Sequence, residues 1–294
     1  MQKTPVVTII GSINMDLITT CSRIPEQGET IIGERFETAP GGKGANQAIA
    51  AARLGADVNF IGRTGEDYIG RELFAYLEES RIAGLYVKTV PGVSTGTASI
   101  LLTNDDNRII VAAGANAYVT PDYIDQHLDI LKQSDVVLMA FEIPPETIIH
   151  TAQKCREYEL PLIINPAPAL NMPEELWEMA DYITPNEKEA AQLFTAAEEK
   201  IQQKLITTLG AKGAQWREGD LIKSHPGFNS RVQDTTGAGD TFNGAFAMMT
   251  AKGKSIEEAV AFANAAASIS VEKMGAQTGM PAYEEVQKKM MNVR

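Results

Sequence analysis

Residues 6–16 read Val6-Val7-Thr8-Ile9-Ile10-Gly11-Ser12-Ile13-Asn14-Met15-Asp16. The first five show almost no polar alternation and are β-branched throughout. That is the pattern of a strand covered on both faces, as in a parallel sheet. Gly11 ends the run. Outward from it, residues 43–54 are Ala-rich and read as a helix closed by Gly55, and 58–61 return as a second short apolar strand. The alternation continues. Helix 70–82, strand 136–139, helix 147–157 (opened by Pro144 and Pro145) and strands 162–164, 182–184 and 204–209 follow. Helices 241–250, 255–271 and 282–291 complete the chain. Strands separated by helices predict βαβ units and a mostly parallel sheet with helices on both faces. Two segments break the rhythm. Residues 17–38 and 95–113 are extended, alternating, rich in Thr, Ile and Glu, and run into no helix. They are expected to form a small separate sheet. The expected division is therefore 1–16, 39–94 and 114–294 for the α/β part, with 17–38 and 95–113 for the appendage.

Composition narrows the function classes. The chain has 294 residues, 44% of them hydrophobic, with 26 Lys+Arg against 38 Asp+Glu and a net charge of −12. This is enough chain for a sizeable core. The acidic balance disfavours nucleic acid or an anionic membrane as partner, since both require a basic face. Cys21 and Cys155 stand far apart without metal-ligand spacing, which argues for a reducing compartment. No signal-peptide core and no apolar run of transmembrane length is present, so a cytoplasmic location is expected.

Four clusters carry chemistry. Asn14 and Asp16 follow the first strand and, two apart in extended chain, face the same way. An amide beside a carboxylate suits the hydroxyls of a polyol, although an Asx-rich turn reads similarly. The run Pro40-Gly41-Gly42-Lys43-Gly44-Ala45-Asn46-Gln47 opens a helix with backbone that can approach a ligand closely. Lys43 and Asn46 lie on one face of its first turn. A cation there opposes the helix dipole and needs an external reason. The run fits neither a Walker loop nor a dinucleotide fingerprint. Asp234-Thr235-Thr236-Gly237-Ala238-Gly239-Asp240 leads into another helix. The N–H groups of Gly237, Ala238 and Gly239 can cradle an anion, and Asp240 stands beside them as an acceptor for a hydroxyl proton. That pairing is what phosphoryl transfer to an alcohol requires. Finally, Asn186 and Glu189 share a helix face, suiting either a hydrated Mg²⁺ or a capping box.

Together and in this order, these clusters resemble the ribokinase (PfkB) family of sugar kinases over nearly the whole chain. The resemblance implies a three-layer α/β/α sandwich with a β-sheet lid and ATP-dependent phosphorylation of the 5-hydroxyl of D-ribose. It implies sugar contacts from Asn14, Asp16, Gly42, Lys43, Asn46 and Glu142, with Asp240 as general base and Gly237, Ala238 and Gly239 as the anion hole. Asn186 and Glu189 would serve Mg²⁺ through water, while Thr208, Gly210, Gly239 and Asn264 would border ATP. A K⁺ ion would lie between loops carrying Asp234, Thr236, Ser270, Lys273, Gly275 and Gly279, the last where relatives often have Ser. The lid would pair two subunits into a homodimer. Between Leu193 and Leu209 the chain is shorter than the family usually is. Open alternatives are a 2-deoxyribose, nucleoside or fructose-type kinase. A non-catalytic sugar-binding regulator is disfavoured by the presence of Asp240 and its loop.

Overall fold

The computed structural model describes residues 3–103 and 107–292. Residues 104–106 of the expected appendage, and 1, 2, 293 and 294 of the expected main unit, lie outside the described residues. Six parallel strands form the central sheet: β1 (Val6–Ile10), β4 (Asp57–Gly65), β5 (Gly84–Val90), β8 (Val136–Ala140), β9 (Leu162–Asn165) and β10 (Tyr182–Ile183). Their order across the sheet is β10-β9-β8-β1-β4-β5. Successive residues of the central strands feed two separate cores. Ile9, Phe60 and Leu138 pack with the helices Lys43–Arg53, Ala238–Ala251 and Ile256–Ser270. Ile10, Ile61, Val137 and Met139 pack on the other face with Tyr123, Ile148 and Trp177. Burial on both faces is why these strands lack polar alternation, and it yields the expected three layers.

A second sheet has the order β3-β2-β6-β7, from β2 (Asn14–Thr20), β3 (Arg35–Gly41), β6 (Gly96–Leu102) and β7 (Asn107–Ala112). Its central pair, β2 and β6, is parallel, and the outer pairings are antiparallel. Its first segment runs from 14 to 41, three residues beyond the expected 17–38 at each end, so Asn14, Asp16 and Gly41 belong to it. A third sheet, β11 (Ile206–Thr208), β12 (Ala214–Glu218) and β13 (Leu221–His225), adjoins β10 through single bridges at Ile183–Leu205 and Asn186–Thr208. The sequence reading missed β5, β12 and β13. The shortened segment after Leu193 holds a single four-residue helix, Glu199–Gln202. No helix among the described residues is long and apolar enough to cross a membrane.

One close approach fixes the geometry at the end of β1. A Cβ added to Gly44 would lie 2.6 Å from the Cα and carbonyl carbon of Gly11, so strand end and helix start touch backbone to backbone. Gly44→Ala is expected to destabilise the fold by about 1–3 kcal/mol through overpacking. At about 2–4 °C per kcal/mol for a chain of this size, thermal melting checks it. An unchanged melting temperature would refute the argument.

Candidate active site

From β1 the chain runs to β4 and β5 on one side of the sheet, then to β8, β9 and β10 on the other. Open α/β sheets leave a ligand-sized crevice beyond the strand ends at such a reversal. Its lips are the residues just past β1 and β8. The Ser12 hydroxyl donates to Glu142 Oε2 at 2.5 Å, and the same oxygen accepts the Lys43 N–H at 3.1 Å. Glu142 thereby caps the helix Lys43–Arg53, whose N-cap residue Gly42 offers no side chain.

Asp240 lies buried in the first turn of the helix Ala238–Ala251. Both its oxygens are held by amides of the helix Lys43–Arg53. Asn46 Nδ2 donates to Oδ2 at 2.8 Å and Gln47 Nε2 to Oδ1 at 3.1 Å. Gln47 Nε2 also donates to Asn165 Oδ1 at 3.2 Å, and Asn165 Nδ2 to the Thr184 carbonyl at 3.0 Å. The Thr184 hydroxyl donates to Asn243 Oδ1 at 2.5 Å, and Asn243 Nδ2 to the Gly239 carbonyl at 2.9 Å. Carboxylate and adjoining loop thus belong to one hydrogen-bonded frame. Burial raises the Asp240 carboxyl above its ordinary value, against the opposing pull of Lys43, Asn46 and Gln47.

The expected anion cradle differs in one respect. The Ala238 N–H turns back to the Thr235 carbonyl at 3.2 Å, as the turn into the helix demands. Among the described residues, the N–H groups of Gly237, Gly239 and Asp240 find no acceptor, so two of the three expected donors are unpaired and Asp240 adds its own.

Asn14 and Asp16 share a face of β2. Asn14 Oδ1 accepts from Asn116 Nδ2 at 2.7 Å, which leaves the Asn14 amide N–H as its donor. Asn116 is itself pinned by the Ile13 N–H at 2.9 Å and carbonyl at 3.2 Å. Burial, with Glu142 and Asp240 adding repulsion, lifts the Asp16 carboxyl to about 7 despite Lys43. The first-turn cation now has its reason. Burial disfavours charge on Lys43, but Asp240, Glu142, Glu189 and Asp16 together hold it above its ordinary value. Lys43, Asn116 and Glu142 line a cavity of about 360 Å³ together with Phe141, Pro144 and, from the small sheet, Val111.

Asn186 and Glu189 form a reciprocal capping box, with bonds of 2.8 and 2.9 Å. Burial raises the Glu189 carboxyl, opposed by the Asn186 N–H and by Lys43. Only one Glu189 oxygen is used by the cap, leaving the other for a hydrated cation. Among the described residues, no group of three or more His, Cys, Asp or Glu side chains is placed to hold a metal ion directly. These residues therefore fit a Mg²⁺ that keeps its waters, not a protein cage. Asp234 accepts from the Thr236 N–H and hydroxyl and, across the two loops, from the Gly275 N–H at 2.8 Å. Burial alone would raise the Asp234 carboxyl; these donors hold it below its ordinary value. Gly279 packs its backbone against the Ser270 carbonyl, and Lys273 is exposed. The 234–236 and 270–279 loops are thus joined through the Asp234 carboxylate, while the Ser270 hydroxyl donates to the Ala267 carbonyl. Thr208 pairs with Asn186, and Gly210 is exposed beside it. Asn264 instead spends its amide N–H on the carbonyl of His225 at 3.1 Å, bracing the loop after β13.

Sequence reasoning gave no role to Ser12, Gln47, Asn116 or Gln277. Gln47 adjoins Asn46 on a helix, and neighbours at i and i+1 do not share a face. Its longer side chain nevertheless reaches the same carboxylate. Asn116 and Gln277 carry no local signal at all.

A pfkB family carbohydrate kinase model matches residues 5–283. The ribokinase of Bacillus subtilis (strain 168) is 44% identical over 286 residues, covering 96% of this chain and 98% of the relative. The deoxyribokinase of Salmonella typhi is 33% identical, covering 95% and 96%. Among solved structures, the Arabidopsis thaliana ribokinase complexed with ribose and ATP superposes with a TM-score of 0.88 at 34% identity, covering 98% and 99%. A family match over almost the entire length, with the crevice, buried carboxylate and unpaired helix N-terminus in place, establishes that the chain belongs to the pfkB family of carbohydrate kinases.

Proposed function

We propose that this kinase transfers the γ-phosphoryl group of ATP to the 5-hydroxyl of D-ribose, giving ribose 5-phosphate and ADP. The observation that carries the reading is the buried Asp240 carboxylate, held by two amides beside the unpaired N–H groups of Gly239 and Asp240. The likeness to ribokinases supports the choice of sugar.

In this reading Asp16 accepts and Asn14 donates to ring hydroxyls, with Gly42, Lys43, Asn46 and Glu142 closing the sugar site. Asp240 accepts the proton of the attacking hydroxyl, which its raised basicity favours. The N–H groups at the helix N-terminus stabilise charge on the transferred phosphoryl oxygens. Lys43 offsets the acidic wall. Mg²⁺, held through water by Asn186 and Glu189, would neutralise the polyphosphate. K⁺ would lie between the 234–236 and 270–279 loops. Thr208 and Gly210 would border the nucleotide, with Asn264 supporting its loop. The small sheet would act as a lid that excludes water when sugar is bound. Its exposed Phe36 (63%) and Ile110 (71%) support a second copy of the chain as its partner.

An ATP-consumption panel with ribose, 2-deoxyribose, fructose, fructose 6-phosphate and adenosine, each in K⁺ and in Na⁺, tests the assignment. The highest kcat/KM is expected for ribose in K⁺; a better substrate elsewhere in the panel rejects ribose. Asp240→Asn is expected to lower kcat by ~10² or more, the scale of a lost general base, with sugar binding retained. Near-normal turnover in that variant would remove Asp240 from the role.

Asp16 has a pH signature. Its unfolded value is near 3.8 and its folded value about 7, so the folded state binds the proton more tightly. The native state is favoured below that window, and the advantage is lost as pH rises through about 7. Asp16→Asn removes this liability. It should melt higher than the parent at pH 8, by about 2–4 °C for each kcal/mol, and weaken ribose binding about tenfold or more through loss of a charge-assisted acceptor. Melting scans at pH 5.5 and 8 with calorimetric titration decide. No gain in melting temperature at pH 8, or unchanged affinity, contradicts the assignment.

A further inference from the structure

Gln277 reaches the buried carboxylate from the far end of the chain, 231 residues from the side chain it touches. Its Nε2 donates to Asn46 Oδ1 at 2.7 Å, and Asn46 Nδ2 donates to Asp240 Oδ2 at 2.8 Å. We propose that Gln277 is a positioning residue, which turns the Asn46 amide so that its N–H, not its carbonyl, faces Asp240. The inference rests on Asp240 being the general base.

The argument is one of polarity. An ionised carboxylate only accepts hydrogen bonds. An Asn amide presents a donor on one side and an acceptor on the other, and both orientations have the same shape. The carboxylate selects the N–H end, and a donor on the far side locks the same choice where an acceptor there would compete for that N–H. With Gln277 Nε2 there, Asn46 must offer its oxygen to Gln277 and its nitrogen to the carboxylate. Were either amide reversed, two acceptors would meet across a buried contact.

Two further observations agree. Gln277 Oε1 is buried without a partner, so the donor end of this amide is the one the site uses. The Gln277 backbone is also clamped from the helix that carries Asn46. Arg53, two turns along from Asn46, donates from Nη1 to the Gln277 carbonyl at 2.6 Å and to the Met280 carbonyl at 3.1 Å. The charged groups facing Asp240 are Lys43 from the same helix, Glu142 beyond β8 and Asp16 on β2. None of these is hydrogen-bonded to Gln277, so the hydrogen-bonded route from its side chain to Asp240 runs through Asn46.

The test is the pH profile of kcat in Gln277→Met and Gln277→Glu, both close to the original side-chain length. Removing a hydrogen bond to a charged group corresponds to about tenfold or more, so kcat at neutral pH should fall by at least that, and by more than KM for ribose rises. The carboxylate loses an oriented donor, so the acid limb should move to higher pH. Gln277→Glu should move it further, because its carboxylate draws the Asn46 N–H away and turns the Asn46 carbonyl toward Asp240. Melting scans establish which variants are folded. A folded Gln277→Met with a normal kcat and acid limb overturns the proposal. So does one with lowered kcat and an unmoved limb, which marks a purely structural contact. Failure of both variants to fold, while Asn46→Ala folds, overturns it too. Loss of turnover in Asp240→Asn alongside an unaffected Gln277→Met removes this inference alone; full turnover in Asp240→Asn removes the base and the inference together.

Discussion

A carboxylate shut away from water at the head of a helix must be met by hydrogen-bond donors. Asp240 imposes that constraint, and much of the architecture around it answers it. The donors come from a helix almost two hundred positions away in sequence, which must lie very close. Small residues make this feasible: Ala45, Ala48 and Ala51 are buried in the core shared by both helices. A Cβ at Gly244 would stand 2.6 Å from the Gln47 carbonyl oxygen. The helix start is in turn set by the Gly11–Gly44 contact at the end of β1 and by Glu142 on its N-terminus. Sheet order, helix packing and placement of the carboxylate are one linked problem.

The same region resolves the charge question raised by an acidic chain. Four carboxylates, Asp16, Glu142, Glu189 and Asp240, surround the single ammonium of Lys43. Such a wall repels a polyphosphate unless cations and neutral donors intervene. Backbone N–H groups at a helix N-terminus attract anions without adding formal charge. A hydrated cation beside Glu189 would supply the remainder. The basic surface that nucleic acid requires is therefore unnecessary for a small anionic substrate.

What was legible in the sequence follows from where each residue's partners lie. Strands such as Val6–Ile10 and Val136–Ala140 announced themselves because both faces are buried. Strand β5, at the edge, and β13, exposed along most of its length, have no such pattern. The β12–β13 hairpin does carry a local signal, Gly219-Asp220 between two short runs. Within the site, Asn14, Asp16, Lys43 and Asp240 were readable from spacing on one element. The side chains of Asn116 and Gln277 hydrogen-bond only to residues more than a hundred positions away, so nothing near them in sequence marks them. At Asn186 and Glu189 the capping-box reading is the one built, and the half-buried Glu189 carboxylate still feels Lys43.

The crevice is also where the fold satisfies itself least. Asp16, Glu189 and Asp240 all sit above their ordinary carboxyl values, burial being the leading cause at each. Among the described residues, two of the five buried side-chain atoms without a partner, Gln47 Oε1 and Gln277 Oε1, belong to the amides flanking Asn46 and Asp240. Elsewhere His127 and Thr147 are paired, while Arg63 Nε, Thr64 Oγ1 and Thr151 Oγ1 are not. A ligand that donates to these carboxylates, or a cation placed among them, favours their charged forms. Ligand binding and folding stability are therefore coupled here: whatever binds only the native state stabilises it. The gain should be largest for groups that discharge the acidic wall, because it is the wall, and not the hydrophobic layers beneath, that is left uncompensated.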